Sequence, residues 1–327
     1  MYKSSAIKAL HTETMKNRKP LGAISGALAI LLACPQWAPA AITWNITFDD
    51  VVNNTGVGFD HATLGATRQA TFISVTGYLN TVLDANGSVD FVVKNSQTDA
   101  TGFLASSGPF FFTGPNGFEN GFLYDHATTG IDPTGAVPDA TATFDFGYNW
   151  NSDLSAPTGG EFDLFTVALH EVSHSLGFSS LLNSDGTSGI SDGDPGVFSV
   201  YDSFLELGDG TSLFNAGAGD YTGSAADLIS NDVYFGGANA MAANGGSPVA
   251  VYSPGTFNDG SSIGHITAAG AVMNFSVASG VEKREYLAIE LGILQDIGWS
   301  LVAVPEPSSA LLLLAGFMGI SLHRRRA

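Results

Sequence analysis

Apolar and polar positions alternate from Ile42 to Phe48, through Trp44 and Ile46, and this period of two predicts a strand over 42–48. The period then changes. Between Thr67 and Leu83 the apolar residues Phe72, Val75, Leu79, Val82 and Leu83 recur at helical spacing, and Asn86-Gly87 ends the segment. Ser88 to Lys94 reads as a second strand. A third is expected over 141–150, where Ala142, Phe144, Phe146, Tyr148 and Trp150 alternate with polar residues or glycine. A helix should follow from about Glu161 or Phe162 to Gly177, and a last one from Glu282 to Ile297, with Leu287, Leu291, Leu294 and Ile297 on one face. The pattern describes a twisted sheet backed by helices.

The helix before Gly177 carries His170-Glu171-Val172-Ser173-His174. At about 100° per residue, the two histidines lie one turn apart on one face. Phe165, Ala168, Leu169, Val172 and Leu176 occupy an arc of about 100° on the other side. One face packs, and the other presents two imidazoles to a common point, as two zinc ligands do. Glu171, one step along, is placed to act as general base on a water at the open coordination position. In a chain with 7 histidines this spacing arises by chance only about 0.004 times. The competing reading is a buried helix whose histidines merely make hydrogen bonds.

The two ends change how much of the chain builds this domain. Lys16, Arg18 and Lys19 precede an apolar run from Leu21 to Ala33, and Ala38-Pro39-Ala40 follows at cleavage spacing, so residues 1–40 read as a secretory signal starting functionally at Met15. Cys34 after Leu31-Leu32-Ala33 also suggests a lipoprotein signal, which the leucine before the alanine disfavours. Residues 41–303 then form one enzyme-sized domain, with subdomains of about 41–177 and 178–303, and residues 304–327 form a C-terminal signal. Cys34 is the single cysteine, so no disulfide forms within 41–303.

Charge narrows the partners. Between 41 and 304 only Arg68, Lys94, Lys283 and Arg284 stand against 29 acidic residues, a net of −25. Phosphate backbones would be repelled, which excludes nucleic acid. The stretch after Gly177 is rich in Gly, Ser, Asp and Asn, and such loops shape clefts or bind ions. Asp185, Asp192 and Asp194 are candidate Ca²⁺ ligands, although no full calcium-loop pattern is present and a solvated turn is the favoured reading.

Two resemblances follow. Val304-Pro305-Glu306-Pro307, the apolar segment Ala310 to Leu322 and Arg324-Arg325-Arg326 resemble a PEP-CTERM sorting signal. The likeness implies a Gram-negative exported protein, cut by signal peptidase, held briefly in the inner membrane by a short transmembrane segment, and then released to the surface or medium by an exosortase. An ordinary C-terminal anchor is the alternative. The domain resembles zinc metalloproteases of the metzincin type, whose HExxHxxGxxH pattern is matched by His170, Glu171, His174 and Gly177 but not by Ser180. Leishmanolysin-like metzincins keep the HExxHxxGF opening and bring the third histidine from far downstream, shortly before a Met-turn. Phe178, His265 and Met273 stand in that order here.

This likeness implies an α+β metzincin-like zincin fold: a twisted mixed sheet, a backing helix, an active-site helix and a loop-rich C-terminal subdomain. It implies Zn²⁺ on His170, His174 and His265, Glu171 as base, and Met273 as a buried floor. Glu206, Asp185 and His126 are rival third ligands, and Phe275 stands where some metzincins carry an assisting tyrosine. The implied activity is hydrolysis of a protein or peptide substrate that pairs with an edge strand, for which 141–150 is one candidate. Two other readings are a surface or biofilm-matrix protein with a non-catalytic zincin-like fold, and a hydrolase of non-peptide amides.

Overall fold

A computed structural model describes residues 41–303, apart from 136, 192–194 and 216. The signal sequences proposed at both ends, including Cys34 and the apolar run from Ala310 to Leu322, lie outside the described residues, as do Asp192 and Asp194. Among the described residues no helix is long and apolar enough to cross a membrane.

The chain is α+β, with one four-stranded sheet and several small ones. Strand β1 (Thr43–Phe48) leads through the short helix α1 (Asp49–Asn53) to the long helix α2 (Gly65–Val82) and then to β2 (Ser88–Val93). Next come β3 (Ala105–Pro109), β4 (Gly117–Glu119), helix α3 (Phe122–Thr129) and β5 (Ala140–Phe144). The principal sheet has the order β1-β2-β5-β3, parallel except for β3, which runs antiparallel along β5. Val89, Phe91 and Val93 of β2 and Ala140, Ala142 and Phe144 of β5 alternate into the core, as their period of two requires. Phe72 of α2 packs on that face, its ring tilted against Phe91 at 5.7 Å and edge-on to Phe144 at 6.1 Å.

The segment 141–150 is not the continuous strand that its alternation predicts. It leaves the sheet after Phe144, turns at Asp145, whose carboxylate accepts the amide of Gly147 at 2.8 Å, and resumes as β6 (Trp150–Asn151) beside β7 (Phe162–Asp163). A Cβ at Gly147 would stand 2.6 Å from the carbonyl oxygen of Thr98, so the close crossing of loop 98–100 requires glycine. β5 is also interior, between β2 and β3, and cannot offer its edge to a substrate. The sheet's edges are β1 and β3, and the edge beside α4 is that of β3, whose sequence Ala-Ser-Ser-Gly-Pro has no apolar alternation to reveal it.

The helix that carries His170 and His174, α4, spans Leu164–Ser175 and packs on β3, β5 and α2. Beyond it lie β8 (Val197–Ser199), which pairs with β4, then β9 (Leu205–Leu207), a hairpin of β10 (Phe214–Asn215) and β11 (Asp220–Tyr221), β12 (Val233–Phe235), helix α5 (Ala238–Ala243) and β13 (Val249–Ala250). The order β13-β12-β9 makes a three-stranded sheet. The final helix, α6 (Ala288–Asp296), is shorter than its periodicity suggests, because residues 282–287 are irregular, with a bend at Glu285. After it the chain returns to the end of α2, where Asp84 donates to the Ser300 carbonyl and Val302 donates to the Val82 carbonyl, each at 2.8 Å.

Candidate metal centre

Helix α4 is fixed at both ends. Asp163 caps its first turn, accepting the amide of Thr166 at 3.0 Å and its hydroxyl at 2.7 Å. Arg284 grips the same carboxylate through Nε at 3.0 Å and Nη2 at 2.6 Å, and also donates to the carbonyls of Leu154 and Ser155. The Asp163 side chain is fully buried, whereas Arg284 is partly exposed. Asp163→Ala is expected to lower unfolding stability by about 2–4 kcal/mol, from the lost helix cap together with the lost hydrogen bonds to a charged partner. Denaturant unfolding measures it; a loss under ~1 kcal/mol would refute the clamp. At the other end Gly177 turns the chain at φ +96°, where a side chain would be strained even though a Cβ would meet nothing closer than 3.6 Å.

Three imidazoles converge beside this helix. His174 Nε2 lies 3.1 Å from His170 Nε2 and 3.2 Å from His265 Nε2, and the last two are 3.0 Å apart. Each ring turns its other nitrogen to a backbone carbonyl: His170 Nδ1 to Val272 at 2.8 Å, His174 Nδ1 to Phe178 at 2.8 Å, His265 Nδ1 to Ser261 at 2.7 Å. A carbonyl only accepts, so each Nδ1 carries the proton and each Nε2 presents a lone pair. Three lone pairs that face one another repel unless a cation lies among them. Zinc–nitrogen bonds of ~2.0–2.1 Å in a tetrahedron hold ligand atoms about 3.3–3.4 Å apart, close to the spacing seen. The triad therefore fits a divalent ion.

Electrostatics agrees. Burial, reinforced by the charge of His265, pushes His170 down to about 3, and burial takes His265 down to about 4 and His174 well below its ordinary value. All three are neutral near pH 7, as ligands must be. Glu171 is 5% exposed, and burial pushes its carboxyl up to about 8. It lines, with the three histidines, a cleft of about 480 Å³ whose walls include Phe103, Leu104, Tyr148, Phe162, Val167 and Phe275. The cleft also receives Ala105, Ser106 and Ser107 of the edge strand β3, and no lysine or arginine lines it.

The segment carrying His265 reaches the helix where a compact motif would have placed its own third histidine. A Cβ on Gly264 would sit 3.5 Å from the amide nitrogen of Ser180. Ile263, fully buried, holds φ +69°, a conformation costly for a β-branched residue, while Tyr252 pairs with both sides of the bend. Met273 is fully buried in the turn whose Val272 carbonyl holds His170. Phe275 leaves that position without a hydroxyl and stacks on Tyr252 at 3.9 Å.

The rival ligands lie elsewhere. Glu206 is on β9, opposite Tyr234 of β12. Asp185 sits in an exposed turn, where its carboxylate accepts the amide and hydroxyl of Thr187. His126 of α3 donates from Nδ1 to the Asp139 carboxylate at 2.8 Å, and the same carboxylate oxygen accepts the Asp90 amide at 2.7 Å. That cluster of Asp90, His126 and Asp139 staples α3 to β2 and to the start of β5. Sequence reasoning missed Asp163, Arg284 and β3; the Asp before an apolar helical run was the one available signal.

Comparison with curated proteins and with solved structures finds no match. Residues 303–326 match the PEP-CTERM protein-sorting motif, which indicates export and cell-surface sorting in Gram-negative bacteria with processing by an exosortase.

Proposed function

We propose that the chain is an exported zinc-dependent metalloendopeptidase, of metzincin type with a distant third histidine. The observation that carries this reading is the triad of proton-free Nε2 atoms 3.0–3.2 Å apart, set beside a carboxylate in an open cleft. A purely structural zinc site has no use for that carboxylate or for the cleft.

His170, His174 and His265 would hold the ion. When bound, zinc supplies Lewis acidity, which lets water ionise near pH ~7 and polarises a substrate carbonyl. The Glu171 carboxyl would be drawn back towards its ionised form by the positive charge of the bound ion, so that Glu171 takes the proton of the attacking water and later delivers it to the leaving amine, one carboxyl serving as base and then as acid. The substrate backbone pairs with the free edge of β3. The aromatic and aliphatic walls of the cleft favour an apolar side chain next to the scissile bond. Met273 forms the floor of the centre. The apolar run from Ala310 to Leu322 anchors the precursor transiently in the inner membrane, and the signal before Ala41 is removed by signal peptidase.

The test is cleavage of casein or gelatin by the purified protein. Cleavage should cease when a chelator strips the metal and return on addition of zinc. Zinc-loaded protein that cleaves no protein or peptide would overturn the reading.

A further inference from the structure

Two of the three histidines hang on a single turn, residues 271–273. His170 Nδ1 donates to the Val272 carbonyl at 2.8 Å, and the Met273 carbonyl accepts the amide of Ile266, next to His265, at 3.0 Å. His174 is different, since its Nδ1 partner, Phe178, follows directly on its own helix. What holds the turn comes from the last helix. Glu290, in the first turn of α6 and 0% exposed, accepts the Met273 amide on Oε1 at 2.7 Å and the Leu287 amide on Oε2 at 2.8 Å. Lys283 Nζ reaches the Ala271 carbonyl at 2.8 Å from the other side.

We infer that Glu290 is a positioning residue for the metal centre, acting on His170 and His265 through the Met273 peptide. This rests on the zinc-site reading above. A buried carboxylate spanning two amides fixes the turn in one place. The Val272 carbonyl then fixes the tautomer and direction of His170, while the Met273 carbonyl sets where the His265 strand runs. Outer partners of metal-bound histidines are worth ~10–100-fold in metal affinity. Glu290 stands one link farther out but acts on two ligands together, so it belongs in that range. A residue that only stabilised α6 would leave the affinity of the folded protein unchanged.

The experiment measures zinc dissociation constants by competition with a chromophoric chelator, and visible absorption after Co²⁺ substitution, in wild type, Glu290→Ala, Glu290→Asp and Glu290→Gln. Glu290→Ala should bind zinc about 10–100-fold more weakly, with altered Co²⁺ bands. Glu290→Gln keeps an acceptor for the Met273 amide and should recover affinity to within about threefold. If Glu290→Ala does not fold, Glu290→Asp, whose shorter arm cannot span both amides, is read the same way. Leu79→Ala, a core change in α2, serves as control and should lose stability with unchanged zinc affinity. Folded Glu290→Ala or Glu290→Asp with wild-type affinity and Co²⁺ spectrum would overturn the inference alone. Wild type that binds no zinc would overturn the metal centre itself.

Discussion

Glu171→Gln should reduce peptide hydrolysis by about 10²–10⁴-fold while zinc content and fold stay unchanged. Glutamine matches glutamate in size and keeps an oxygen in the cleft, but its neutral amide cannot take a proton from water. Among the described residues no substitute base lines the cleft: apart from Glu171 and the three histidines, the one titratable residue there is Tyr148, whose hydroxyl donates to the Gly102 carbonyl at 3.2 Å. The measurement is the cleavage rate of casein or a fluorogenic peptide, with zinc determined on the same preparation. Equal rates in the two proteins would eliminate Glu171 as base and favour the surface-component reading.

His265→Ala is the second large effect. Zinc sites of four ligands bind with apparent free energies of ~10–16 kcal/mol, so one ligand is worth roughly 3–4 kcal/mol and its loss about 10²–10³-fold in affinity. Activity should fall with the zinc. Glu206→Ala is the paired control, because β9 holds Glu206 in the β13-β12-β9 sheet and it does not line the cleft. Full zinc retention in the His265 variant, or loss in the Glu206 variant, would reassign the third ligand.

Much of this was legible because it was local or ordered along the chain. The two histidines of α4 follow from helical spacing, β1, β2 and α2 from their periods, and the order His265, Met273, final helix from the family likeness. The periodicity places the start of α4 about two residues early, since Phe162-Asp163 pairs with β6 and Asp163 is spent as the cap. It makes the last helix too long for a related reason: Lys283 and Arg284 reach out to Ala271 and Asp163, and helix does not form there. Residues 141–150 misled because alternation reports which side chains are buried, not whether the strand stays in one sheet or lies at its edge. Nothing local marks β3 as an edge, since its small polar residues follow neither period.

The closing stitch of the domain, Val302 onto Val82, lies one residue before the sorting motif begins at 303. The described domain therefore runs up to the first residue of the sorting motif. A flexible spacer of twenty residues would let a catalytic cleft roam roughly 25 Å, farther than the ~18 Å radius of gyration expected of a domain of this size. For the peptidase proposed above, any reach of the cleft while the signal is attached would have to come from the signal itself, and exosortase cleavage would be the step that turns a resident activity into a diffusing one.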